Sequence, residues 1–275
     1  MDLSYPIQRG IVTHWDNLEK LWHHAFYDLL SVAPEEHSLL LSESPWNPKA
    51  NKEKANQILF ETFNMMATHF VCDGILSGYA YGTTTSIVLT IGDGVTHVMP
   101  IYEGHSVVNA TKRINFGGCD VTEYLGRLLT HRGYSISAPT ELQIVSGIKE
   151  KLGYVAQDFT EEIGKYSKDQ NLKQTFLLPD GHKLEVGAEM FGCAECLFHP
   201  SLVGVDYLGL PQFLLECLLL CDADLRKDFY YNISLSGGGS MFRGLADRLY
   251  SEMRELVPKT NRIRVDGRLE RKYSV

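Results

Sequence analysis

Apolar residues recur along this chain with two different periods. Within residues 16–30, Leu18, Leu21, Trp22, Phe26 and Leu29 fall three or four apart, which places them on one face of a helix. The same period returns at 51–63, announced by Pro48 and Asn51, and again at 121–132, 140–157 and 213–230. Each of these stretches is predicted to be a helix. β-Rich runs stand between them. HSLLLSESP (37–45) reads as a short buried strand, and THFVCDG (68–74), TSIVLTI (85–91) and HVMPIYEG (97–104) read as further strands. QTFLLPDGHKLEVG (174–187) reads as a hairpin with Pro179-Asp180-Gly181-His182 at its tip, and residues 231–256 run strand, glycine loop, helix. Hairpins and helices mixed around core strands predict an α/β architecture. No repeat of fixed period and no linker rich in Gly, Ser or Pro divides the chain.

Two glycine clusters each follow a predicted core strand. In SIVLTIGDGVTHVMP, the Asp93-Gly94 pair between two β-branched runs is a strong hairpin signal, because the favoured turn takes positive φ at both central residues. In NISLSGGGSM, Gly237, Gly238 and Gly239 precede a helix, where main-chain N–H groups become free to meet a phosphate or a nucleotide. Either cluster alone is equally a plain turn. The second is not GxGxxG and carries no P-loop Lys-Ser/Thr. As a pair they predict a nucleotide between them, with Gly92, Asp93 and Gly94 toward phosphate and the later glycines toward the nucleoside.

Composition narrows the class. A net charge of −8 with no long basic run argues against a general nucleic-acid binder. The most apolar stretch, FLLECLLLC (213–221), is interrupted by Glu216 and is too short to span a bilayer, so neither nucleic acid nor membrane insertion is expected. Cys193 and Cys196 have the spacing of half a zinc site but no second pair, and Cys217 and Cys221 sit in an apolar run; free structural thiols are expected. His23 and His24 point about 100° apart on a helix and do not share a metal. Trp15, Trp22 and Trp46 read as packing residues, and Asp222 and Asp224 as a helix end.

The stretches GDGVTHVMPIYEGHSVVNA, THRGYSISAPTELQIVSGIKEKLGYVAQDF, FLLPDGHKLEVGAEMFGCAECLFHPSLVG, CDADLRKDFYYNISLSGGGSMFRGLADRL and ERKYSV closely resemble actin, collinearly over essentially the whole chain. The resemblance implies the actin-like ATPase fold, a ribonuclease-H-like two-domain α/β architecture. It further implies a remnant of the small domain in 1–80 and a nearly complete large domain in 81–275, with 81–116 and 206–275 as its inner part and 117–205 as its outer part. ATP or ADP with Mg or Ca would lie in the cleft. Gly92, Asp93 and Gly94 then match a phosphate-binding hairpin, with Asp93 near the cation's water shell. Gly118, Lys149 and Glu150 match ribose and base contacts, Gly238, Gly239, Met241 and Phe242 the loop beside adenosine, and Lys272 a lysine near the base. Partners would be cytoskeletal or actin-binding proteins, actin itself included, in the cytoplasm.

The departures from the family pattern are equally specific. The chain is expected to open after the family's first phosphate loop and to stop before its last helices, which would weaken nucleotide binding. Asp73 stands where the family has a water-positioning glutamine, Thr90 and Ile91 replace an Asp-Ser pair, and His97 is the remaining water-orienting side chain. Ser146 replaces an arginine beside the nucleotide, and Arg9 replaces a histidine and restores positive charge near the phosphates. The expected function is an actin-like structural protein with a partial ATP cleft and little hydrolysis. The alternatives are a slow Mg-dependent ATPase using Asp73 and His97, and a truncated product that folds poorly.

Overall fold

The computed structural model describes residues 4–134, 139–168, 172–178, 181 and 183–275. The chain begins with the two-residue strands β1 (Ile7–Gln8) and β2 (Ile11–Val12). Helix α1 (Trp15–His23) continues as a π-helical turn over His24–Leu29, so the apolar period of 16–30 is kept while the winding loosens. Strand β3 (Ser38–Glu43) pairs in parallel with β4 (Ala67–Cys72), and α2 (Lys49–Glu61) connects them, starting directly after Pro48. Phe26, Ile58, Leu59, Phe63 and Met65 form the core of this part. β3 is half-exposed on alternate residues rather than buried.

Helix α3 (Asp73–Ala80) follows β4 without a loop and leads to the central sheet. That sheet contains β5 (Ser86–Ile91), β6 (Thr96–Tyr102), β7 (His105–Ser106), β8 (Lys112–Ile114), β11 (Ile233–Ser236) and β12 (Val265–Asp266). Its order is β12-β11-β5-β6-β7, with β8 also on β6; β11 runs parallel to β12 and β5, while the remaining pairs are antiparallel. Every residue of β5 is buried, as expected of a strand covered on both faces. Ile87, Leu89 and Ile91 join the main core, and Val88 meets Met99 and Ile101 on the other face, against Cys72 and Ile75.

The main core is closed by α4 (Gly118–His131), α5 (Pro139–Leu152), α6 (Phe159–Lys168), the hairpin of β9 (Gln174–Leu177) and β10 (Lys183–Val186), α7 (Glu189–Gly192), α8 (Leu210–Leu220), α9 (Arg226–Tyr231) and α10 (Leu245–Leu256). The predicted tip of the β9–β10 hairpin, at Pro179, Asp180 and His182, lies outside the described residues. The stretch 213–230 is two helices. Cys221 leaves the helical region, and the Arg226 guanidinium donates to the carbonyls of Leu219 and Cys221, ending α8 where one continuous helix was predicted. Helix α5 likewise ends at Leu152, short of 157. Trp46 is 58% exposed and sits at φ +61°, so it is not a core residue; Trp15 and Trp22 do pack against the first core. All six cysteines are free, four of them buried.

Candidate functional site

The two glycine clusters meet at the end of β5. The backbone N–H of Gly92 donates to the Val95 carbonyl at 2.9 Å, closing the β5–β6 hairpin. Neither Asp93 nor Gly94 takes positive φ, contrary to the turn expected from Asp-Gly. The reason lies in α4: Gly118 N–H donates to the Gly92 carbonyl at 2.9 Å and Cys119 N–H to the Asp93 carbonyl at 2.8 Å, so the first turn of α4 occupies acceptors that a free-standing hairpin turn would use itself. A Cβ at 94 would stand 3.2 Å from the Arg9 backbone, so glycine there eases the close approach of the two segments. Among the described residues, the amides of Asp93 and Gly94 have no acceptor. Such amides can bind an anion.

The second cluster lies against the first. Gly237 has φ +84°, and a Cβ on it would press into the Ile91 carbonyl. A Cβ on Gly239 would lie 2.6 Å from Ile91 Cγ2 and 3.0 Å from the Gly92 carbonyl oxygen. These two glycines therefore let the loop touch β5. Gly238 differs, since a Cβ there would meet nothing nearer than Lys272 Cγ at 4.0 Å. Its bare main chain faces open space, and among the described residues the amides of Gly238 and Gly239 also lack acceptors.

That space is a cavity of about 450 Å³, within the usual range for small-molecule sites. Nine of the eleven residues expected to contact the nucleotide line it: Asp93, Gly118, Lys149, Glu150, Gly238, Gly239, Met241, Phe242 and Lys272. Gly92 and Gly94 lie in the adjoining turn without lining it. Ser146 lines it as well, as do Gly153 and Arg243, which the sequence reading missed. Glycine at 153 gave a weak signal, a helix stop; its absent side chain makes room for the Phe242 ring, which would stand 2.7 Å from a Cβ.

Charge in the cavity wall is uneven. Lys149 is 8% exposed; its Nζ donates to the Gly118 carbonyl at 2.8 Å and Thr122 Oγ1 at 2.7 Å and has no carboxylate partner among the described residues. A buried cation held only by neutral oxygens is costly unless an anion approaches it. Arg9 does not supply positive charge to this site in the way expected. Its fork grips Asp120 at 2.5 and 2.7 Å and also donates to the Gly94 carbonyl, so its charge is matched within the protein, and the Asp120 hydrogen bonds hold its pKa above the usual range. No cluster of three or more His, Cys, Asp or Glu suited to a metal occurs among the described residues.

Asp73 and His97 come together outside the cavity lining. Asp73 opens α3, and its Oδ1 accepts from Gly74 N–H at 2.8 Å and lies 3.0 Å from His97 Nε2. The approach to the ring is off the hydrogen-bond axis, and neither nitrogen of His97, itself 1% exposed, has a partner with hydrogen-bond geometry. Thr90 is in register with His97 across β5–β6, and its hydroxyl is buried without a partner too. Ile91 is buried and apolar.

The mixed sheet and its surrounding helices are consistent with the actin-like ATPase fold. The family model for actin matches residues 1–275. An actin-like protein of Neurospora crassa is 43% identical over 277 residues, spanning 100% of this chain and 73% of that protein. The chain belongs to the actin family.

Proposed function

We propose that this protein binds a purine nucleotide in the 450 Å³ cavity, ATP or ADP by the family pattern, with little hydrolysis, and works through contacts with cytoskeletal proteins in the cytoplasm. The observation that carries the reading is the convergence of nine residues, distant in sequence, on one space with a buried unpaired lysine in its wall. The open main chain at Gly238 fits a flat nucleoside, and the unused amides of Asp93 and Gly94 fit phosphate oxygens. Gly92 acts by holding that turn. Asp93 would hold a hydrated Mg or Ca ion, Glu150 and Lys149 the ribose, and Met241, Phe242 and Lys272 the base. The cation, when bound, neutralises phosphate charge. The division into a small-domain part, 1–80, and a large-domain part, 81–275, belongs to the same proposal. Among the described residues, no helix is long and apolar enough to cross a membrane.

Little hydrolysis is expected from the surroundings of Asp73 and His97. Ile91 offers no polar group, the Thr90 hydroxyl is buried, and the Asp73 carboxylate lies outside the cavity lining, where it would repel a triphosphate unless a cation intervened. Calorimetric titration with Mg-ATP tests the site: the native chain is expected to bind and Asp93→Ala to bind at least tenfold more weakly. Equal traces without heat would remove the reading. The 3.0 Å contact of Asp73 and His97 favours a second reading, residual hydrolysis with the pair acting on water. Phosphate release abolished in His97→Ala would support it, and none above blank in the native chain would end it.

A further inference from the structure

A second cavity, of about 510 Å³, opens between α6, the 3-10 turn Ala194–Leu197 and α10, and shares no residue with the one beside the glycine turns. Four acids line it: Asp158 just before α6, Glu195 in the turn, and Glu252 and Glu255 on α10. Arg248, one turn before Glu252 on the same face of α10, is already spent. Its Nη1 donates to the Ala156 carbonyl at 2.7 Å, its Nε donates to Glu252, and its guanidinium lies over the Phe198 ring at 5.0 Å. Glu195 is 3% exposed, and only its Oε1 is engaged, by Arg248 Nη2 at 3.4 Å and His199 Nε2 at 3.5 Å. Among the described residues, nothing donates to Oε2. Burial pushes the Glu195 carboxyl up, against the pull of Arg248 and His199. A buried carboxylate with one free oxygen thus stands in a wall where four acids face one arginine and one histidine, and it is short of positive charge.

The size and lining of the cavity set the kind of cation. Among the described residues no cluster suits a metal, and the space is far larger than a bare ion. Phe159, Leu202 and Leu256 add apolar wall beside the acids, which suits a methylene chain carrying its charge at one end. A guanidinium fork would call for both carboxylate oxygens, and Oε1 is taken; an ammonium needs only one. We infer that this cavity binds a primary alkylammonium group, with Glu195 Oε2 accepting from it and Glu255 adding attraction at the rim. Glu255 is exposed and has no hydrogen bond or ion pair among the described residues.

Calorimetric titration of the full chain with 1,6-diaminohexane, beside hexane-1,6-diol as its uncharged match, tests this. The diamine is expected to bind with a Kd of about 1 mM or tighter, and the diol at least about tenfold more weakly. Glu195→Gln should weaken the diamine about tenfold or more, the loss of one charge-assisted hydrogen bond. Because Glu195 also holds Arg248, Glu255→Gln provides a second variant; it should melt like the native chain and weaken the diamine about threefold. Nα-acetyl-lysine methylamide separates the sources of the amine. Binding as tight as the diamine's assigns the cavity to a lysine side chain of a protein partner, and binding of the diamine alone assigns it to a free polyamine. Either result supports the inference when the two variants lower the affinity. No heat from the diamine, equal binding of the diol, or diamine affinity unchanged in Glu255→Gln would overturn it.

Discussion

Two neighbouring regions at the end of β5 differ in how completely their polar groups are used. In the cavity wall, the turn at Gly92 and Asp93 is bonded into α4, Gly237 and Gly239 are in contact with β5, and Lys149 is bonded to two oxygens. Four amides and one open glycine are left over there, among the described residues, in the two turns that border the cavity. Around Asp73 and His97, the Thr90 hydroxyl and both His97 nitrogens are buried with no partner in hydrogen-bond geometry among the described residues, although Asp73 Oδ1 stands 3.0 Å from His97 Nε2. Buried orphans of this kind cost stability and are rare. The contrast teaches that packing and main-chain bonds can fix the shape of a cavity while the polar side chains next to it are left poorly matched.

The largest effect should come from breaking the close contact of the loops. Gly237→Ala places a Cβ against the Ile91 carbonyl at a backbone geometry that only glycine adopts readily. It is expected to lower the unfolding free energy by about 3 kcal/mol or more, read by chemical denaturation. A loss below about 1 kcal/mol would mean the loop stands off from β5.

The surroundings of Asp73 and His97 should respond in the opposite direction. Thr90→Val removes a buried hydroxyl that has no partner, and is expected to stabilise the protein by about 1 kcal/mol. A loss of similar size would reveal a bond to that hydroxyl and erase the contrast between the two regions.

The smallest effect is kinetic. Burial, with Asp120 adding to it, pushes the Cys119 thiol up to about 11, so little thiolate exists at pH 8. Since the thiolate is the nucleophile, alkylation of Cys119 should keep rising about tenfold per pH unit through pH 10. A plateau near pH 9 would show that the first turn of α4 is more open to water than described.

Much of this was legible before any coordinates. Strand runs as apolar as SIVLTI leave little freedom of assignment, and the two glycine clusters pointed to one gap. Helix α3 was not legible, since Asp73-Gly74 reads as a turn and Gly74 and Gly78 lower helix propensity; its glycines are tolerated because Met99 and Ile101 press on them. Helix α6 carried a signal that went unused: Asp158 accepts from Glu161 N–H at 2.8 Å, the cap that Asp-Phe-Thr-Glu announces. In the site, Arg243 was invisible because a lone arginine after Met-Phe carries no pattern, and only the fold brings it to the cavity. The charge of Arg9 was misread for the same reason, its partner Asp120 being 111 residues away.

Gly238 provides the most direct test, because it lines the cavity and a Cβ there would meet nothing nearer than Lys272 Cγ at 4.0 Å. Nucleotide titration of Gly238→Leu beside the native chain, with thermal melts of both, separates ligand space from fold. The account predicts unchanged melting and affinity lowered by at least tenfold. Native affinity in a variant that melts normally would contradict it.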